Sequence, residues 1–249
     1  MTLLKQELKV NPFEGEIKPS EEFGLEQAVD EAMEEALIKL GKLQPEKTIH
    51  QSQDLLNSLD LPILKPAQIV QLFRRIHYDK ILTGLMMNKL IMDSYNSGEN
   101  DFVLTTGDHK MWHFGEELSG QNDRQLRITV YGNLGEYCAN HSKYCDYKIN
   151  GHVDDKFGWV SEYCNIIVNG NMGKALGHWS KHCNFEIRGN IGYGFASESK
   201  ESTYIFHGKV QHTQIPLGSI NCTFTVFDGA AYNWLYRNNP GTNTIKRVK

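Results

Sequence analysis

The chain has 249 residues, 40% of them hydrophobic and 22% charged, with a formal net charge of −4. This composition excludes a disordered polar chain, and its slightly acidic balance supplies no field to draw nucleic acid along its length. No apolar run approaches the ~20 residues that a membrane helix needs, and the opening Met1-Thr-Leu-Leu-Lys5 leads into charged residues rather than a signal-peptide core. A cytoplasmic protein without membrane contact is expected.

Residues 1–19, with Pro12, Pro19 and no apolar period, read as a tail or arm. Residues 20–100 read as a helical region. Ser20 is suited to an N-cap, with Glu21 and Glu22 where a helix start favours anions. Leu25, Val29, Ala32, Ala36 and Leu40 then recur at helical spacing, and Gly41 is a natural stop. The acidic excess from Glu14 to Glu35 marks a solvated face. A short helix is expected within Ser52–Leu61. From Pro66, which suits a first helical turn, one broad apolar stripe through Ile69, Leu72, Ile76, Leu85 and Ile91 predicts a helix ending in Asn96-Ser97-Gly98.

Beyond Gly98 the pattern changes to β, and it repeats. Gly132, Gly151, Gly170, Gly189 and Gly208 are 19 residues apart. Cys145, Cys164 and Cys183 keep the same interval, with Ser202 next. So do Ser142, Ser161, Ser180 and Ser199, and so do Asp146, Asn165, Asn184 and Thr203. Ile128, Tyr147, Ile166, Phe185 and Tyr204 form an apolar column, and Val130, Ile149, Val168, Ile187 and Phe206 form a second two places on. Alternation within a rung and identity between rungs predict an α+β chain: a helical N-terminal region, then a parallel β-helix of 19-residue rungs over residues 101–228. No rung can bury its apolar side chains alone, so stacking supplies the core. The glycines are expected at a corner requiring positive φ or close backbone approach. The Asp/Asn/Thr column is expected at a second corner. Phe102–Gly107 reads as an earlier rung with an insertion before Leu126. Phe224, Val226 and Phe227 read as a later one, and residues 229–249 as a tail.

The segment Ile166–Asn184, with Gly170, Asn171, Gly173 and Gly177, resembles the repeat of the glutamate synthase C-terminal (GXGXG) β-helix family, which includes a β-helical component of formylmethanofuran dehydrogenase. Gly132-Asn133-x-Gly135 and Gly189-Asn190-x-Gly192 carry the same resemblance. It implies a right-handed β-helix that positions the catalytic parts of an oxidoreductase complex and carries no catalytic residues itself. The chain departs from the family where Tyr144-Cys145, Tyr163-Cys164 and His182-Cys183 replace a glycine pair.

A metal centre on Cys145, Cys164, Cys183 and His182 is opposed by spacing. Stacked rungs put the outer two cysteines ~9.6 Å apart, whereas two thiolates on one zinc lie within ~4.6 Å. Among the ten histidines no HxH or HxxxH with supporting carboxylates marks a metal centre. The five cysteines form no CxxC pair. An 18-residue hexapeptide rung would suit an acyltransferase, and the 19-residue period does not. No cofactor and no catalytic residue is expected. His141, Trp159, His178 and Trp179 share a rung sector and form a candidate partner surface, set against partial burial of that sector under the helices. Scaffolding through a protein partner is the expected function, with self-association through an open end near Phe224 as a further possibility. The alternative is a metal- or ligand-binding enzyme using the His/Trp/Cys sector.

Overall fold

The 19-residue interval in sequence is a stacking interval in space. The computed structural model describes residues 31, 35, 36, 38, 39, 49–75, 80–211, 216–239 and 241–248. The tail expected at 1–19 and most of the helix expected from Ser20 to Leu40 lie outside these residues, although Glu31, Glu35, Ala36, Ile38 and Lys39 are helical. Eight strands form one parallel sheet in chain order: β1 (Asp101–Met111), β2 (Leu126–Leu134), β3 (Cys145–Asn150), β4 (Asn165–Val168), β5 (Asn184–Ile187), β6 (Thr203–Phe206), β7 (Thr223–Val226) and β8 (Thr244–Arg247). Two further parallel ladders of single bridges complete each turn. One joins Leu134, Val153, Met172, Ile191 and Val210, and the other joins Lys143, Glu162, Lys181, Lys200 and Ile220. The chain is therefore a parallel β-solenoid of about seven turns.

Register follows the repeat. Ile128 pairs with Tyr147, Tyr147 with Ile166, Ile166 with Phe185 and Phe185 with Tyr204, all buried. The residues between them, such as Lys148 and Glu186, face out, because side chains alternate across a strand. Phe185, Tyr204 and Phe224 stack face to face along the core, with ring centroids 4.9 and 5.2 Å apart. The hydroxyl of Tyr204 is satisfied by Ser180 and Ser199, and that of Tyr147 by Ser142 and the carbonyl of Gly115. The buried serine column thus serves the aromatic one.

The glycine column is a column of close approach. A Cβ on Gly151 would stand 2.0 Å from the carbonyl oxygen of Gly132, one on Gly170 would stand 2.3 Å from that of Gly151, and Gly189 and Gly208 repeat the arrangement. Of the five, only Gly132 has positive φ, at +124°. The Asp/Asn/Thr column opens the strands. Asn165 Nδ2 donates to Asp146 Oδ1 at 2.7 Å and Asn184 Nδ2 to Asn165 Oδ1 at 2.8 Å, an amide ladder along the axis.

Besides the helical residues between Glu31 and Lys39, three helices with described bounds precede the sheet: α1 (Ile49–Ser58), α2 (Pro66–Arg75) and α3 (Lys80–Asn96). The single helix expected from Pro66 is instead two, with residues 76–79 outside the description. Helix α3 packs on the first rung. A Cβ on Gly84 would meet the carbonyl oxygen of Trp112 at 1.9 Å, so only glycine lets the backbones touch. Asn88 clamps the join: its Nδ2 donates to His113 O at 2.8 Å and its Oδ1 accepts from Gly115 N at 2.6 Å.

The tail expected at 229–249 is replaced by two elements. Asp228 caps helix α4 (Gly229–Arg237), accepting from Ala230 N, and the chain returns as β8 to pair with β7. Phe224 is consequently fully buried opposite Ile245, and among the described residues the last paired strand is β8, so the open end expected near Phe224 is covered. Phe227, expected in the later rung, is outside its core and 38% exposed. Arg247 occupies the register position opposite the inward-facing Val226.

Candidate partner surface

Between the glycine column and the Asp/Asn/Thr column each rung follows an unusual path. Tyr137, Ala139, His141 and Tyr144 all have φ between +51° and +61°, and Lys156, Gly158, Val160 and Tyr163 repeat this one rung on. Left-handed backbone at non-glycine residues is disfavoured singly. Here inter-rung hydrogen bonds hold each position: Tyr137 N donates to Asp155 O, His141 N to Trp159 O at 2.7 Å and Tyr144 N to Glu162 O. The zigzag turns the side chains of this sector outward in columns.

Of the four residues expected there, three meet. Trp159 and His178 stack with centroids 5.3 Å apart and planes 10° from parallel, and Trp179 stands edge-on to both at 5.7 and 5.8 Å. Trp159 Nε1 donates to Ala175 O at 2.5 Å, and His178 Nε2 donates to Gly194 O. Burial lowers the His178 pKa, with the Gly194 bond opposing it, so the ring is held neutral with its proton on Nε2. Trp159 and His178 are half-buried, while Trp179 is 48% exposed; Leu217, 59% exposed, lies two rungs further along, beyond Ser197 and Glu198. His141 lies two rungs from Trp179 in the same column and makes none of these ring contacts. The stack is built by its own rungs; α2 and α3 pack at β1, and α1 packs on α3.

Sequence reasoning missed the extension of the strip. Tyr137 stacks on His113 at 5.0 Å and meets the edge of Trp159 at 6.4 Å, and Lys156 sits over the Tyr137 ring. A second ladder, Tyr144–Tyr163–His182, stacks at 5.0 and 4.7 Å beside it. Tyr144, Tyr163 and His182 are the sequence neighbours of the cysteine column already evident in the 19-residue spacing.

The cysteine column points the other way. Cys145, Cys164 and Cys183 are fully buried and each donates its thiol to two backbone carbonyls, as Cys183 Sγ does to Ser161 O and Lys181 O at 3.3 Å. Cys222 joins the column across Ser202 with the same pattern. The flanking thiols of Cys145 and Cys183, together with burial, push the Cys164 thiol far up. His182 faces outward and pairs with Glu201 at 3.2 Å, so it does not join the thiols. Among the described residues no group of three or more His, Cys, Asp or Glu could hold a metal ion, and no described helix is long and apolar enough to cross a membrane.

No family model matches the chain, and neither a curated protein nor a solved structure matches it.

Proposed function

We propose that the chain is a non-catalytic scaffold whose β-solenoid binds a protein partner through the Trp159–His178–Trp179 strip. The observation that carries this reading is the exposed Trp179, on a base stacked and hydrogen-bonded into place before any partner arrives, with exposed Leu217 two rungs further along the same sector. Rigid aromatics presented without ordering cost are what interface hot spots use. The thiols and core hydroxyls are spent within the ladders, which leaves the outward aromatics as the chemistry on offer. The Gly170-Asn171-x-Gly173 turns agree with the resemblance to the structural β-helix of the glutamate synthase family, in which such a helix positions other subunits.

The test is affinity purification of the tagged full chain from its own cells, beside Trp179→Ala and Leu217→Ser variants of unchanged melting temperature. One stoichiometric protein, retained by the native chain and lost from both variants, is expected. Equal recovery from all three, or no stoichiometric protein at all, overturns the reading.

A further inference from the structure

A groove of about 1000 Å³ runs along the Gly-Asn-x-Gly corner, beside the aromatic strip, and ends against the first residues of α4. That volume is at the upper end for small-ligand sites, ~300–1000 Å³. Two columns of the repeat form its walls. One is Asn171, Asn190 and Lys209, and the other is Asp155, Lys174 and Tyr193; Gly173 and Gly192 form the floor between them.

The walls offer a repeating set of polar groups. Asn171 Oδ1 accepts from Asn190 N at 2.9 Å, and Asn190 Oδ1 accepts from Lys209 N at 3.0 Å. Each amide therefore spends its oxygen on the solenoid and keeps its NH2 as a donor with no hydrogen-bond acceptor among the described residues. The two donors stand one rung apart, ~4.8 Å along the axis. On the opposite wall Lys174 Nζ lies 4.9 Å from the centre of the Tyr193 ring, a movable cover over an aromatic face. Asp155 and Asp228 offset Lys174 and Lys209, so the charged groups lining the groove sum to zero.

This chemistry selects among linear ligands. Paired carboxylates and balanced charge give no attraction for a polyanion such as nucleic acid. An extended peptide repeats its outward side chains every ~6.6 Å, out of step with the rungs. A β-1,4-linked pyranose chain advances by nearly one rung per sugar; successive sugars turn over, but both edges carry hydroxyls that accept as well as donate, so each donor meets an acceptor, and the apolar ring faces pack on aromatic rings. We infer that the groove binds a neutral β-1,4-linked oligosaccharide of three to four sugars, with Asn171 and Asn190 donating to successive residues and Tyr193 stacking on one ring.

The experiment is calorimetric titration of the full chain with cellohexaose, xylohexaose, mannohexaose and chitohexaose, with a sulfated hexasaccharide as control. Binding of at least one neutral hexamer is expected, with affinity rising with length up to four sugars. Tyr193→Ala should weaken it tenfold or more. Asn190→Asp keeps the oxygen that accepts from Lys209 N while removing the donor, so it should weaken binding comparably with little change in melting temperature. Trp179→Ala should have no effect, which separates this site from the proposed partner surface. Failure of all four hexamers, preference for the sulfated control, or undiminished binding in both Tyr193→Ala and Asn190→Asp overturns the inference.

Discussion

His152 Nδ1 accepts the backbone N–H of Asn171 at 2.8 Å, one rung above. In the same column Asn133 Oδ1 accepts from His152 N at 2.7 Å, and Asn171 and Asn190 continue the series. An imidazole has replaced a carboxamide without interrupting the ladder, which requires a neutral ring with the proton on Nε2. His152→Asn should therefore be nearly neutral, within about 0.5 kcal/mol. His152→Ala removes the acceptor at an exposed site where water can substitute, so it should cost about 1 kcal/mol. Urea denaturation midpoints of the two variants check this.

The glycine column predicts a larger effect. In Gly170→Ala the new methyl must find room 2.3 Å from the Gly151 carbonyl oxygen, where both partners are backbone. The expected loss is about 3 kcal/mol or more, the upper range for overpacking. Gly107→Ala is the contrast: open space surrounds that position and only its φ of +56° opposes a side chain. About 1 kcal/mol is expected there. Thermal melts of both variants should rank them clearly.

The pH dependence of folding should carry a signature of His178. Burial keeps its folded-state pKa below the ordinary value, so the unfolded chain binds more protons than the folded one as pH falls. The stability contribution is full above the unfolded pKa of ~6.5 and is lost as pH drops from there through the depressed folded value. His178→Gln should flatten stability against pH as pH falls below about 6.5. A native profile flat in that window contradicts the assignment.

As the last paired strand among the described residues, β8 predicts that self-association is blocked. A terminal strand presents unpaired backbone groups, and charges on or inside such an edge are a protection against pairing. Lys246 faces outward and Arg247 takes the register position of core-facing Val226. Replacing both, as Lys246→Thr with Arg247→Val, should give concentration-dependent oligomers by sedimentation velocity, where the native chain stays a single species.

The middle of the solenoid was legible because each rung had to repeat what its neighbours required. Phe185 and Tyr204 are forced into one column by stacking, and the glycines by the carbonyl beneath each of them. The ends were less legible. The step from β1 to β2 is longer, pairing Asp101 with Arg127, and β8 is paired by a 21-residue step from Thr223 to Thr244 with a helix inserted. No fixed interval survives those changes, so α4 and β8 looked like a tail. The left-handed zigzag was hidden for a different reason. Val160 and Trp179 hold φ near +55° through bonds to adjacent rungs, and no property of valine or tryptophan announces it. In the candidate site, shared spacing brought Trp159, His178 and Trp179 together but could not tell that His141 stands apart.

The inter-rung ladders mean that each coil finds its partners within itself and in the coils immediately above and below. Nothing inside such an array counts its members; the stops are supplied from outside, by α3 at one extremity and the cationic strand at the other. Duplication or excision of one complete 19-residue unit would leave every surviving junction chemically intact. Overall reach is thus a quantity evolution can adjust in whole steps, independently of what any step displays.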